Sequence, residues 1–245
     1  MGIDFLDLID YEKRMHFIRC FVLFLFLLHS PAFETKAESF SSWPSIKKLA
    51  DGKFDFDGVT INQKSREIEF VAISNQNNGL IEYGIVHETG KIHESLFRTE
   101  IRPQIIHASM LLLKHEPHKA FFEDLRQGHF NEDKYLLNAV EVFVTWENNG
   151  TKVAKNLRDF YSNQRREGVS EKSGVLLFTG SRMIEKTFMA EHTGSILAVY
   201  TDQDALFNST EYDSDNDDVW IARKTEMPPL EKFVTCVFRL PKKIH

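Results

Sequence analysis

The sequence predicts an α+β fold, a predominantly antiparallel β-sheet with one buried helix and one amphipathic helix set to one side. Three observations carry this expectation. Ten short runs are rich in β-branched and aromatic residues and are bounded by turn formers. An Asn-Gly pair separates two of them. A single stretch opening on Pro103 is apolar almost all round at helical length. The runs do not alternate regularly with helices, which argues against a doubly wound parallel sheet.

In chain order the expected strands are 67–74, 80–88, 91–99, 139–147, 152–156, 175–179, 184–191, 195–201, 219–223 and 233–240. Asn149-Gly150 predicts a hairpin joining 139–147 to 152–156, because a type I′ turn needs φ > 0 at both central positions and this pair tolerates it. Thr89-Gly90 predicts a second hairpin, with Glu88 opposite Lys91, Val86 opposite His93, Gly84 opposite Ser95 and Glu82 opposite Phe97. Between the strands, Pro103 suits a first helical position and Ile105, Ile106, Ala108, Met110, Leu111, Leu112 and Leu113 then predict a buried helix. Over 117–127, Phe121, Phe122 and Leu125 share one face and Gly128 follows as a stop, which predicts the amphipathic helix. In the last strand Val234, Cys236, Phe238 and Leu240 alternate inward, so the Cys236 thiol is expected to pack as a small hydrophobe.

The start of the chain carries an address. Lys13, Arg14 and Arg19 precede an apolar run from Cys20 to Leu28, and Thr35-Lys36-Ala37 supplies small residues at the positions a signal peptidase reads. The run is too short to cross ~30 Å of hydrocarbon as a stable helix, so residues 1–37 are expected to be a cleaved signal peptide, with Met15 as an alternative start. Residues 38–57 lack sustained periodicity and read as a linker, and 58–245 as one domain. The protein is thus expected to be periplasmic or extracellular, with no membrane span after cleavage. Cleavage also removes Cys20 and leaves Cys236 alone, so no intramolecular disulfide is expected. The full chain carries 30 Lys+Arg against 36 Asp+Glu, a net charge of −6, with no basic run longer than pairs such as Arg165-Arg166 and Lys242-Lys243. Nucleic acid is therefore not an expected partner.

The candidate chemistry gathers in the second expected hairpin. There His93 and Ser95 share one strand face with Gly84 and Glu82, an arrangement that suits a base, a hydroxyl and an orienting carboxylate. The competing reading is a hydrogen-bonded structural cluster, since alternate strand residues lie ~6.6 Å apart and no G-x-S-x-G elbow is present. Glu94 is expected on the opposite, apolar face, paired with Arg98 or His107. The ten histidines invite zinc, but no H-E-x-x-H occurs. Asp213, Asp215, Asp217 and Asp218 place four carboxylates in one loop. They suggest a calcium site, or else a solvated acidic turn, since Asp218 and Lys224 stand where an EF-hand has Gly and Glu.

Several blocks are more specific as a set: Gly90-Lys91-Ile92-His93-Glu94-Ser95-Leu96 with Thr99; Phe178-Thr179-Gly180-Ser181; Gly194-Ser195-Ile196-Leu197-Ala198-Val199-Tyr200 with Asp202, Ala205-Leu206 and Asn208; Asp218-Val219-Trp220; and Pro228-Pro229. By their order and spacing the chain resembles, from about Val59 onward, the YdjY-domain family of exported bacterial proteins. The resemblance implies a shortlist of His93, Glu94, Ser95, Thr99, Ser181 and Asp202, with Thr99, Ser181 and Asp202 as binding candidates. It does not imply an iron–sulfur cluster here, because such a cluster needs about four cysteine ligands. The segment 114–135 is longer and more charged than the resemblance would lead one to expect. The leading expectation is an exported binding or structural interaction domain of the cell envelope, more a binder than an enzyme. Its partner would be an envelope protein, a polymer or a small molecule. The alternatives are a hydrolase-like enzyme centred on Glu82, His93, Glu94 and Ser95, and a calcium-stabilised extracytoplasmic domain. Apart from that calcium no cofactor is expected.

Overall fold

A computed structural model describes residues 44–127, 135–166 and 174–242. The expected signal peptide, its cleavage site and the Gly128 helix stop lie outside the described residues.

The chain opens with an antiparallel meander of β1 (Ile46–Ala50), β2 (Lys53–Phe56), β3 (Val59–Asn62) and β4 (Glu67–Ser74). There follow β5 (Tyr83–His87), β6 (Ser95–Thr99), α1 (Pro103–Leu112), α2 (Phe121–Arg126), β7 (Ala139–Asn148), β8 (Thr151–Asn156) and β9 (Tyr161–Asn163). The rest comprises β10 (Leu176–Phe178), β11 (Met183–Ile184), β12 (Thr187–Phe188), α3 (Met189–Thr193), β13 (Ser195–Ala198), β14 (Phe207–Ser209), β15 (Trp220–Ala222) and β16 (Phe233–Arg239).

Eight strands close on themselves in the order β4, β16, β7, β10, β14, β13, β5, β6, and β6 returns to β4 through Ile73 opposite Arg98 and Ser74 opposite Phe97. This closed, mixed β-barrel corrects the expected antiparallel sheet with helices to one side. Two of its pairings are parallel, β13 with β14 and β5 with β6. Two barrel strands are long enough to serve two neighbours along one edge. β4 pairs β3 through Glu67, Ile68 and Glu69 and β6 through Ile73 and Ser74, while β7 pairs β10 through Ala139 and Val140 and β8 from Phe143 to Asn148. Among the described residues the barrel therefore has no free edge of its own, and the open edges of this sheet are at β1 and β8.

The interior follows from alternation. In β16 Val234, Cys236 and Phe238 are buried, as expected, while Phe233, the first residue of the strand, is 68% exposed. Aromatic rings continue from strand to strand: Phe238 lies 5.6 Å from Phe70 on β4 and 4.8 Å from Phe207 on β14, which in turn lies 5.2 Å from Phe178 on β10. Burial pushes the Cys236 thiol up to about 12, which keeps it protonated and inert.

The Asn149-Gly150 hairpin forms as expected, with both residues at positive φ (50° and 76°) and Asn148 paired to Thr151. The Thr89-Gly90 hairpin does not. The Gly90 N–H donates to the His87 carbonyl at 2.8 Å, so the chain does reverse, but Ile92–Glu94 then doubles back as a 3-10 turn and β6 runs parallel to β5. The strands are short enough for this, because residues 88–94 extend up to roughly 23 Å and a five-residue strand covers only ~17 Å. Three further segments depart from expectation. Residues 46–50 and 53–56, read as linker, form β1 and β2. The strand expected over 184–191 divides into the β11–β12 hairpin and α3. Helix α1 starts at Pro103 as expected but is buried along one side only, through Pro103, Ile105, Ile106, Ser109 and Met110, where it meets β3 and α3.

Candidate polar site beside the β5–β6 crossover

The site is built on two glycines. Helix α3 ends at Gly194 in the left-handed region (φ 72°), and this glycine lies directly against Gly90 of the β5–β6 connection. A Cβ on Gly194 would stand 2.7 Å from the Gly90 Cα, and one on Gly90 would stand 2.9 Å from the Thr193 carbonyl oxygen. Two backbones thus touch where no side chain fits, and Lys91 follows at once.

Lys91 Nζ lies 3.0 Å from Glu82 Oε2 and 3.7 Å from Glu94 Oε2, and 5.3 Å above the centre of the Tyr83 ring. His93 Nε2 lies 3.1 Å from the other Glu94 oxygen. Glu82 is fixed through its backbone: its N–H donates to the Glu94 carbonyl at 2.9 Å, and its carbonyl accepts from Val199 and Tyr200 at 2.8 and 3.3 Å. The Tyr83 hydroxyl donates to Asp202 Oδ2 at 3.0 Å, and its ring meets Tyr200 edge to face at 5.9 Å. Asp202 is itself held, since its N–H donates to Asn208 Oδ1 at 2.7 Å and its Oδ1 accepts from the Asp204 N–H at 2.8 Å.

Gly90, Lys91, His93, Glu94, Gly194, Tyr200, Asp202 and Asn208 of this site fall in the blocks of the sequence, and Glu82 and Tyr83 lie outside them. The YdjY-domain model matches residues 59–239, which is most of the chain. The chain belongs to the YdjY-domain family. Comparisons with curated proteins and with solved structures return no match.

Within this YdjY domain the shortlisted residues part company. Ser95 is fully enclosed and its hydroxyl donates to the Lys91 carbonyl at 2.6 Å, whereas the His93 side chain is 74% exposed and turned to Glu94. The 3-10 turn breaks the alternation that would have given His93 and Ser95 a common face. It also brings Glu94 to Lys91 and Glu82 instead of the apolar side. Arg98, expected as its partner, pairs with Glu231 at 2.6 and 3.0 Å, and His107 lies between the Phe178 and Phe188 rings. Burial, with Lys119 nearby, holds His107 below the usual histidine range. Thr99 and Ser181 bond within the fold: the Thr99 hydroxyl donates to the Val71 carbonyl at 2.7 Å, and the Ser181 hydroxyl donates to the Asp204 carbonyl at 2.7 Å and accepts from the Ala190 N–H.

The acidic loop is organised by its own chain. Asp213, at φ 66°, accepts from Asn163 Nδ2 at 3.0 Å, the Asp218 N–H donates to Asn216, and the Asp218 carbonyl accepts from Gln164. Among the described residues no three His, Cys, Asp or Glu side chains converge in a metal-holding group. Lys91, Tyr83 and Tyr200 are the site residues that sequence reasoning missed. Lys91 sat inside the first block and Tyr200 two residues before Asp202, but nothing in the spacing showed that a crossover would bring them to one place.

The electrostatics of the cluster are uneven. Burial, reinforced by Glu94 and opposed by Lys91, raises the Glu82 carboxyl above the usual glutamate range. Burial is the largest influence on Lys91 and would lower it, but the bond to Glu82 and the charges of Glu82, Tyr200 and Glu94 together outweigh burial and hold the ammonium above its ordinary value. The two directions agree, because Glu82 answers to burial and to a second carboxylate as well as to Lys91. A carboxyl raised in the folded state adds stability that is fully present below its unfolded value and is lost as pH rises through the folded one. Glu82→Gln is therefore expected to raise Tm at pH 7 relative to the parent and to lose this advantage near pH 4. Melts at the two pH values test this, and an advantage that grows on acidification would contradict it.

Proposed function

We propose that this YdjY domain is an exported binding domain, and that the cluster of Glu82, Lys91, Glu94 and His93 is its contact site. The observation that carries the reading is the separation of Ser95 from His93. A serine nucleophile needs its hydroxyl proton held by a base and its oxygen open to substrate. Here that proton is given to a backbone carbonyl in an enclosed position, while the imidazole lies outside against a carboxylate. What the surface offers instead is a fixed set of charges beside two tyrosine rings, which suits recognition. The basic and apolar stretches before Ala37 support export, and the net charge of −6 argues against nucleic acid as the partner.

The test is hydrolysis by the full chain across ester, peptide, glycoside and phosphate substrates, with His93→Ala and Ser95→Ala alongside. Equal, background rates in all three are expected. A rate in the parent that His93→Ala abolishes would overturn the reading. N-terminal sequencing of protein from the native host is expected to begin near Glu38, and an intact cytosolic N-terminus would overturn export.

A further inference from the structure

We propose that Glu82, Glu94 and the Tyr83 ring form a receptor for a primary alkylammonium group of a partner molecule, occupied in cis by the chain's own Lys91. The proposal rests on the binding reading above and names the chemistry of the ligand.

Three independent features point to it. First, an ammonium is already seated there: Lys91 Nζ is 3.0 Å from one carboxylate, 3.7 Å from a second and 5.3 Å above an aromatic ring, the combination that recognises organic cations. Second, the seat is built to stay in place when Lys91 leaves. The Glu82 backbone is held by three hydrogen bonds, the Tyr83 hydroxyl by Asp202, Asp202 by Asn208 and Glu94 Oε1 by His93, so the frame of the seat does not rest on the lysine's side chain. Third, one ammonium is shared by two carboxylates. Glu94 Oε2 is shielded from solvent beside the Glu82 carboxyl, and among the described residues no cationic donor is within hydrogen-bond reach, Lys91 being 3.7 Å away. An incoming ammonium with three N–H donors, free of the geometry that the Gly90 turn imposes on Lys91, can reach both carboxylates at once. Lys91 is well placed to yield, since its side chain is nearly half exposed and exchanges one set of contacts for water. A lysine side chain of a partner protein and a free polyamine share this chemistry.

The experiment uses the full chain, as parent, Lys91→Met, and Lys91→Met with Glu82→Gln. Methionine keeps the aliphatic stem and removes the charge. N-acetyl-lysine methylamide and cadaverine are titrated into each at fixed ionic strength, read by calorimetry and by the Tyr83 and Tyr200 ring resonances. Lys91→Met is expected to bind at least one probe ~tenfold more tightly than the parent, and the added Glu82→Gln to reverse the gain. The tighter probe assigns the source, a protein lysine or a free amine. No gain for either probe, or a gain indifferent to Glu82→Gln, overturns the proposal. Should Lys91→Met fail to fold, the parent provides the reading: saturating butylammonium is expected to shift the Lys91 side-chain ¹⁵N resonance, and an unmoved resonance overturns it. Failure here together with background hydrolysis removes the ligand class and leaves the binding reading standing, whereas His93-dependent turnover removes the binding reading itself.

Discussion

Phe238→Ala is expected to lower the unfolding free energy by about 3–5 kcal/mol, the range for deleting a buried phenylalanine whose surroundings cannot collapse into the space. The site cannot collapse because β16 is hydrogen-bonded on both sides, to β4 from Glu67 to Ile73 and to β7 from Glu141 to Thr145, and the ring touches Phe70 and Phe207 across the interior. Phe233→Ala, on the same strand but 68% exposed, is the control and is expected to change stability by less than ~1 kcal/mol. Urea denaturation separates the two. A lower midpoint at constant slope for Phe238→Ala is the expected result, and equal effects at the two positions would contradict the assignment of inward and outward faces.

Gly194→Ala is the second large effect, expected at about 2–5 kcal/mol. Two terms contribute: roughly 1–2 kcal/mol for an L-residue in the left-handed region, and roughly 1–3 kcal/mol for forcing a Cβ against backbone that has no rotamer through which to retreat. The second term is the informative one, because the atoms in the way belong to Gly90. Gly150→Ala isolates the first term, since Gly150 has φ 76° and nothing lies within 4 Å of its would-be Cβ. If the two variants lose the same stability, the Gly90–Gly194 contact does not exist as described. If Gly194→Ala loses more, the Lys91 cluster is expected to loosen with it, since Gly90 fixes where Lys91 begins.

What the sequence makes legible is local. Alternation located Val234, Cys236 and Phe238 inside, Asn149-Gly150 located a hairpin, and Pro103 located a helix start, because each depends on neighbours in the chain. The barrel was not legible, since closure depends on β6 meeting β4 through only Ile73 and Ser74, and no pattern within either strand announces it. The reading of Thr89-Gly90 as a hairpin turn failed for a related reason. The turn is there, but the competing bonds that hold Lys91–Glu94 off the β5 edge come from elsewhere: Asn75 Nδ2 reaches the Ser95 carbonyl, and Gly194 sits against Gly90. The observed turn takes Glu94 from the expected apolar face to the Lys91 cluster and separates His93 from Ser95. Of the residues singled out, Glu82, His93 and Glu94 do meet, while Ser95, Thr99 and Ser181 bond within the fold.

Glu82, Lys91 and Glu94 share one charge network at the surface of the barrel. This sharing is tested most directly by following the Glu82 side-chain carboxyl ¹³C resonance through a pH titration of the parent and of Glu94→Gln. The Glu82 midpoint is expected above the ordinary glutamate value in the parent, through burial and the neighbouring carboxylate, and is expected to fall when Glu94 is neutralised. A Glu82 midpoint at or below the ordinary value, unmoved by Glu94→Gln, would contradict it.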